Sequence, residues 1–249
     1  MSLYLKKIGI KIDPKRIVLK KKGKDNTKSL RYYFLYEEIH ISPWHDIPLI
    51  FNKSNITFNF ICEISKYTRK KFEIDTKSKN NPIKQDIKDN KLRSYKWGDI
   101  YFNYGCFPQT WEDPAHKTKN IKYPGDNDPL DAIEIGLKSL DIGSIVPVKI
   151  IGAIPMVDDN EIDWKIITIA ADDILAKKIN NIESLNKILP GFLNSVINWF
   201  RCYKTAEGKK ENKFALDGRI LEKKEAIDII FNTHKLWGKL TELKLSKNI

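Results

Sequence analysis

The chain has 249 residues, 41% of them apolar, enough to bury one substantial core. It has no run of roughly eighteen or more apolar residues, which excludes a helical membrane span. The formal net charge of +12 raises nucleic acid or another polyanion as a partner. Much of the excess lies in runs such as Lys20-Lys21-Lys22 and Arg69-Lys70-Lys71, in a chain rich in Lys, Asn and Ile throughout. Compositional bias accounts for that charge, and no specific nucleic-acid partner is expected.

The first residues, Met1 to Lys24, are basic, broken by Asp13 and Pro14, and lack the apolar centre of a secretory signal. Cys62, Cys106 and Cys202 are odd in number, widely spaced and without a Cys-x-x-Cys pair. That pattern fits a reducing compartment better than a disulfide framework or a structural zinc site. A soluble, cytoplasmic protein with no membrane partner is the expectation.

From Lys15 to Ile64 the chain reads as short β segments, Leu30 to Ile41 and Ile56 to Ile64 among them, punctuated by Gly23-Lys24-Asp25-Asn26 and Ser42-Pro43. Lys71 to Ile74 is a further strand, and the polar run Thr76 to Lys91 reads as an exposed loop. Ile145 to Ile154 and Asp163 to Ala170 have the Val and Ile content of half-buried strands, and several short strands at this spacing suggest a barrel. Helical spacing comes late. Pro190 stands at a first helical position before Phe192, Val196, Trp199 and Tyr203, which recur on one face. Ile227, Ile230, Phe231, His234 and Trp237 mark a second amphipathic helix. With no repeat or linker dividing the chain, residues 1–249 read as a single α+β domain, a barrel with helices packed outside.

The chemistry concentrates in Gly125-Asp126-Asn127-Asp128-Pro129-Leu130-Asp131. Clustered carboxylates repel, so this segment is either a solvated acidic turn or a site for hard cations that take oxygen ligands. It is no EF-hand loop, because Leu130 and Asp131 stand where that pattern needs Asp or Asn and then Gly. A second acidic cluster runs from Asp158 to Lys165. Asp163 and Lys165 share one strand face, as do Lys71 and Glu73, a spacing that an ordinary surface ion pair would also explain. His40, His45, His116 and His234 lack metal-ligand spacing, with His234 on the apolar stripe of the last helix. Nothing supports Cys106 as a nucleophile, Trp111 reads as packing at a site wall, and no phosphate-cradling P-loop pattern occurs.

Gly125 to Asp131, together with Asn103-Tyr104-Gly105-Cys106-Phe107-Pro108-Gln109-Thr110-Trp111-Glu112-Asp113-Pro114, resembles the family I soluble inorganic pyrophosphatases, the second string their eukaryotic branch. The resemblance runs from about His45 to His234. It leaves residues 1–33 as a poorly matched N-terminal extension. It implies a five-stranded OB-like β-barrel with flanking helices and Mg²⁺-dependent hydrolysis of pyrophosphate to two phosphates by a metal-activated water.

Residue by residue, the resemblance implies that Asp126, Asp131 and Asp163 hold the principal metal pair and that Asp158 and Glu73 serve the metals arriving with substrate. Asp128 becomes the general base, Lys71, Arg93, Tyr203 and Lys204 the phosphate holders, and Glu63, Tyr104 and Lys165 the rest of the charged cavity. Phosphoryl transfer suits such residues, because it needs charge neutralisation and a placed attacking oxygen more than covalent help. The eukaryotic branch implies a homodimer, although the link Ser94 to Asn103 is shorter than in fungal and animal relatives, where this region helps form the dimer contact. The rival reading is an OB-like nucleic-acid-binding module. Against it, the carboxylates would line the cavity where a polyanion should bind.

Overall fold

The computed structural model describes residues 12–116 and 121–246. The start of the expected N-terminal extension, residues 1–11, lies outside the described residues. In chain order, β1 (Ile17–Lys22), β2 (Arg31–Tyr36) and β3 (Ile39–Ile41) begin one sheet, and β4 (Ile50–Asn52) and β5 (Thr57–Ile64) begin a second. Strands β6 (Phe72–Ile74) and β7 (Ile83–Gln85) return to the first sheet, and β8 (Ile87–Lys88) and β9 (Lys91–Leu92) form a hairpin. The second sheet continues with β10 (Asn103–Cys106), β11 (Asp131–Glu134), β12 (Ile145–Asp158), β13 (Glu161–Ala170), β14 (Lys213–Phe214) and β15 (Leu221–Glu222). Helices α1 (Ile182–Ile188), α2 (Phe192–Cys202) and α3 (Lys223–Ser246) give an α+β, sheet-rich fold.

In the second sheet the pairings run β12 to β13, β13 to β11, β11 to β10, β10 to β5, and from β5 back to β12. Only β11 with β13 is parallel, which sets Ala132 opposite Ile166 and brings the ends of the acidic turn and of β13 together. The pairing of β10 with β5 needs Gly105, because a Cβ there would lie 1.9 Å from the Ile61 carbonyl oxygen. Glycine thus permits the close approach that holds neighbouring Tyr104 in place.

The core is aromatic and aliphatic. Phe58, Phe60, Phe102 and Phe107 are fully buried, each worth roughly 1.5–3 kcal/mol relative to exposure. Strand β13 carries both surfaces of the molecule's chemistry, since its side chains alternate between faces. Ile162, Trp164 and Ile166 enter an apolar cluster beneath α3, while Asp163 and Lys165 point the other way.

Three expectations change. The polar run Thr76 to Lys91 is not simply a loop: β7 lies between β2 and β6, with Ile83 fully buried and Gln85 nearly so. Neighbouring strands override the polarity of the segment, as tertiary context commonly does for strands. Pro190 precedes α2 rather than opening it. Gly191 caps the helix at φ 79°, a left-handed conformation that breaks the helical path, and the buried face is Leu193, Val196, Trp199 and Phe200, with Phe192 half-buried. In α3 the buried face is Ala226, Ile230, Thr233 and Trp237, whereas Phe231 is exposed and His234 half-buried. Helix α1, capped by Asn181 and Ser184, was not anticipated.

Candidate active site

The acidic turn is built locally before any tertiary contact. The Asp128 amide donates to Asp126 Oδ1 at 3.0 Å, an Asx turn, and Asn127 takes φ 72°, which Asn tolerates. Backbone bonds from Glu112 N to the Asp128 carbonyl (3.0 Å) and from Asn127 N to the Glu112 carbonyl (2.9 Å) then lash the turn to the 111–114 segment. Trp111 Nε1 donates to Asn127 Oδ1 at 3.0 Å, which ties the tryptophan to the turn, although it lines neither of the cavities described next. At Gly125 a Cβ would meet the Glu112 carbonyl oxygen at 2.5 Å, so glycine is required for that approach.

Two cavities of about 210 and 370 Å³ share the walls formed by Lys71, Tyr104, Asp126, Asp128 and Asp131. The first adds Glu63 and Glu73; the second adds Arg93, Asp158, Asp163, Lys165, Tyr203 and Lys204. Every site residue anticipated from the sequence therefore faces one of two joined cavities.

The charges are interleaved. Buried Lys165 Nζ bonds Asp163 and lies 2.5 Å from Asp131 Oδ2 and 2.9 Å from the Tyr104 hydroxyl, which itself donates to Asp131. With Lys165 only 2% exposed, the surface-pair explanation of Asp163 and Lys165 fails. Lys71 sits 2.9 Å from Glu73 and 3.1 Å from Asp86, and Arg93 is 3.0 Å from the same Asp86 oxygen. Lys204 bonds Asp158, and the Tyr203 hydroxyl is 3.3 Å from it. Trp199 stacks on Tyr203 with centroids 5.0 Å apart, which orients the phenol.

Burial and mutual repulsion push the carboxyls up. Burial first, then the Asp131 charge, raises Asp128 to about 6. Burial raises Asp163 to about 7 despite the opposing Lys165. Burial, followed by Asp163 and Asp131, holds Asp126 well above its usual range, and burial with Asp131 does the same to Glu63. Burial disfavours the charge on Lys165, yet Asp131 and Asp163 outweigh it and raise its pKa. Cys106 lines the first cavity, but burial and Glu63 raise its thiol well above the usual range, so it stays protonated.

Three carboxylates at the site were given no role by the sequence. Asp86 bridges Lys71 and Arg93 from within the supposed loop. Asp159 binds Lys204 and Lys209 at the cavity wall, at 3.3 and 2.9 Å. Glu112, quoted in a motif but given no role, is 3% exposed and offers an oxygen within 4.8 Å of oxygens from Asp126 and Asp163. This all-oxygen set suits a hard divalent cation, and Glu112 Oε2 is buried with no hydrogen-bond partner, as expected of a group awaiting a positive charge.

A family profile described as inorganic pyrophosphatase matches residues 60–238. The human inorganic pyrophosphatase is 43% identical, over 82% of this chain and 72% of its own length. The crystal structure of type I inorganic pyrophosphatase from Toxoplasma gondii superposes with a TM-score of 0.86 at 35% identity, covering 90% of this chain and 99% of that one. An N-terminally truncated vacuolar soluble pyrophosphatase of Trypanosoma cruzi, solved in complex with PPi, gives 0.86 at 41% identity, covering 91% of each chain. The chain belongs to the inorganic pyrophosphatase family, alongside its type I, eukaryotic members.

Proposed function

We propose that this protein hydrolyses inorganic pyrophosphate to two phosphates with Mg²⁺, as one catalytic domain spanning the chain. The observation that carries the reading is the convergence of the family's carboxylates and cations on two joined cavities. Asp126, Asp131 and Asp163 would hold the principal metal pair, with Asp158 and Glu73 holding those that accompany substrate. When bound, Mg²⁺ supplies charge neutralisation and a lowered water pKa.

The chain's own residues do the rest. Lys71, Arg93, Tyr203 and Lys204 bind and orient phosphate oxygens, Arg93 with two parallel donors. Asp128, raised to about 6, is ionised at neutral pH yet basic enough to accept a proton from the attacking water. Glu63, Tyr104 and Lys165 hold the charged wall in register. Lys71 pairs with Glu73, and Lys204 with Asp158. On this reading those pairs part on loading, the lysines turning to phosphate and the carboxylates to metal.

The ring of strand pairings from β12 round to β5 supports a five-stranded OB-like barrel. The acidic cavity disfavours the nucleic-acid-binding alternative. Among the described residues no helix is long and apolar enough to cross a membrane. A cytoplasmic homodimer completes the reading, and light scattering over a dilution series tests its assembly, a stable hexamer contradicting it. For the activity, phosphate release is measured from pyrophosphate, ATP and a phosphomonoester, with Mg²⁺ and with chelator. Selective, Mg²⁺-dependent release from pyrophosphate is expected; unchanged turnover in excess chelator, or none from pyrophosphate with Mg²⁺, overturns the reading.

A further inference from the structure

A third cavity, of about 240 Å³, lies on the other side of β13, between α3 and a wall that includes Glu112, Asp113, His116 and Gly125. Ile162, Trp164, Ile229 and Leu236 supply apolar walls. Its acidic lining is Asp113, Asp228 and the buried Glu112, and no described lining residue is Lys or Arg, in a chain whose net charge is +12. His116 Nε2 and Asn232 Nδ2, 3.5 Å apart, add hydrogen-bonding capacity at the same wall. An engineered apolar cavity of about 150 Å³ already admits benzene, so a ring with a short charged arm fits here.

We propose that this cavity binds a small organic cation, an amine on an apolar body, and that its occupancy regulates the catalytic cavity behind it; the regulatory part rests on the function proposed above. The two cavities share one wall. Ile162 and Trp164 face this cavity while Asp163 and Lys165, alternating with them, face the catalytic one. Gly125 lines this side and Asp126 the other. The Trp164 amide donates to Glu112 Oε1 at 3.3 Å, and Glu112 places an oxygen within 4.8 Å of oxygens from Asp126 and Asp163. A ligand that shifts Trp164 or Glu112 must shift the carboxylates across the wall. Apolar walls with convergent polar groups are the common form of a small-molecule site, and the acidic lining selects a cation.

Calorimetry on the full chain with phenethylamine, neutral 2-phenylethanol and anionic phenylacetate tests the site. Phenethylamine should bind at least about fivefold tighter than 2-phenylethanol, with phenylacetate weakest. Ile229→Trp, which fills the cavity from α3, should weaken phenethylamine by about tenfold or more. Asp228→Asn, an exposed rim change, should reduce the preference for the cation over the alcohol. Equal or tighter binding of phenylacetate would overturn the proposal. So would no binding of any probe up to about 10 mM, or unaltered binding in Ile229→Trp.

Coupling is reciprocal, so saturating amine should change Mg²⁺ affinity in a direct titration by about fivefold or more. Amine binding with unchanged Mg²⁺ affinity would overturn the regulatory part. Because calorimetry reads binding without turnover, failure of the site and failure of the proposed reaction are distinguishable.

Discussion

Lys165 and Asp131 occupy neighbouring parallel strands, with Nζ 2.5 Å from Oδ2, and the lysine is 2% exposed. Its ammonium simultaneously serves Asp163, so one buried cation holds two of the carboxylates proposed above to bind metal. Lys165→Met should destabilise the metal-free protein by about 3–5 kcal/mol, since it leaves buried charge uncompensated. Mg²⁺ should recover more stability in the variant than in the parent. Urea unfolding with chelator and with Mg²⁺ measures both; an equal Mg²⁺ effect in the two proteins would show that Lys165 does not substitute for metal charge.

Asp128 and Asp131 should fail differently. Asp128→Asn keeps shape but removes the proposed proton acceptor, and should lower turnover by about 10² to 10⁴. Asp131→Asn should weaken Mg²⁺ binding, so that high Mg²⁺ restores part of its activity. A magnesium titration of both variants separates the roles, and recovery of Asp128→Asn to near parental turnover would make Asp128 a metal ligand instead.

The raised carboxyls set a pH dependence. Asp163 at about 7 and Asp128 at about 6 stand above the ordinary 3.8, so between these values the folded state binds more protons than the unfolded state. The resulting stability is present in full below 3.8 and is lost as pH rises to about 7. In chelator the melting temperature should therefore fall from pH 5 to pH 8 by at least a few degrees, about 1 kcal/mol corresponding to roughly 2–4 °C at this size. Mg²⁺ should flatten the decline. Calorimetric scans across that range check the sign.

Gly105→Ala drives a methyl into the Ile61 carbonyl, where no flexible side chain can yield. A loss of at least about 1–3 kcal/mol is expected, from overpacking and strand displacement. Turnover should drop with it, because Tyr104 is the adjacent residue and donates to Asp131. Denaturant melts and phosphate release on the same preparation would test both; a stable, fully active variant would contradict the close approach.

Much of the site was legible in the chain because its signals are local. Gly125 to Asp131 places its carboxylates by an Asx turn within the segment, and the spacing of Asp163 and Lys165 is decided by strand periodicity. Strands at Thr57–Ile64 and Glu161–Ala170 likewise follow from their own apolar residues. Those features determined the fold class and the family. Only the tertiary structure decided that Ile83 to Gln85 forms a strand, because β7 is held between nearby β6 and a partner distant in the chain, Tyr32 of β2, and these pairings outweigh its polar setting. The same holds for Asp86, whose place between Lys71 and Arg93 depends on that strand. Glu112 looked like one more charged residue beside a tryptophan until chain crossing buried it against Asp126 and Asp163. Burial and long-range charge are properties of the folded assembly, so no local pattern could have shown which carboxylates would be pressed together.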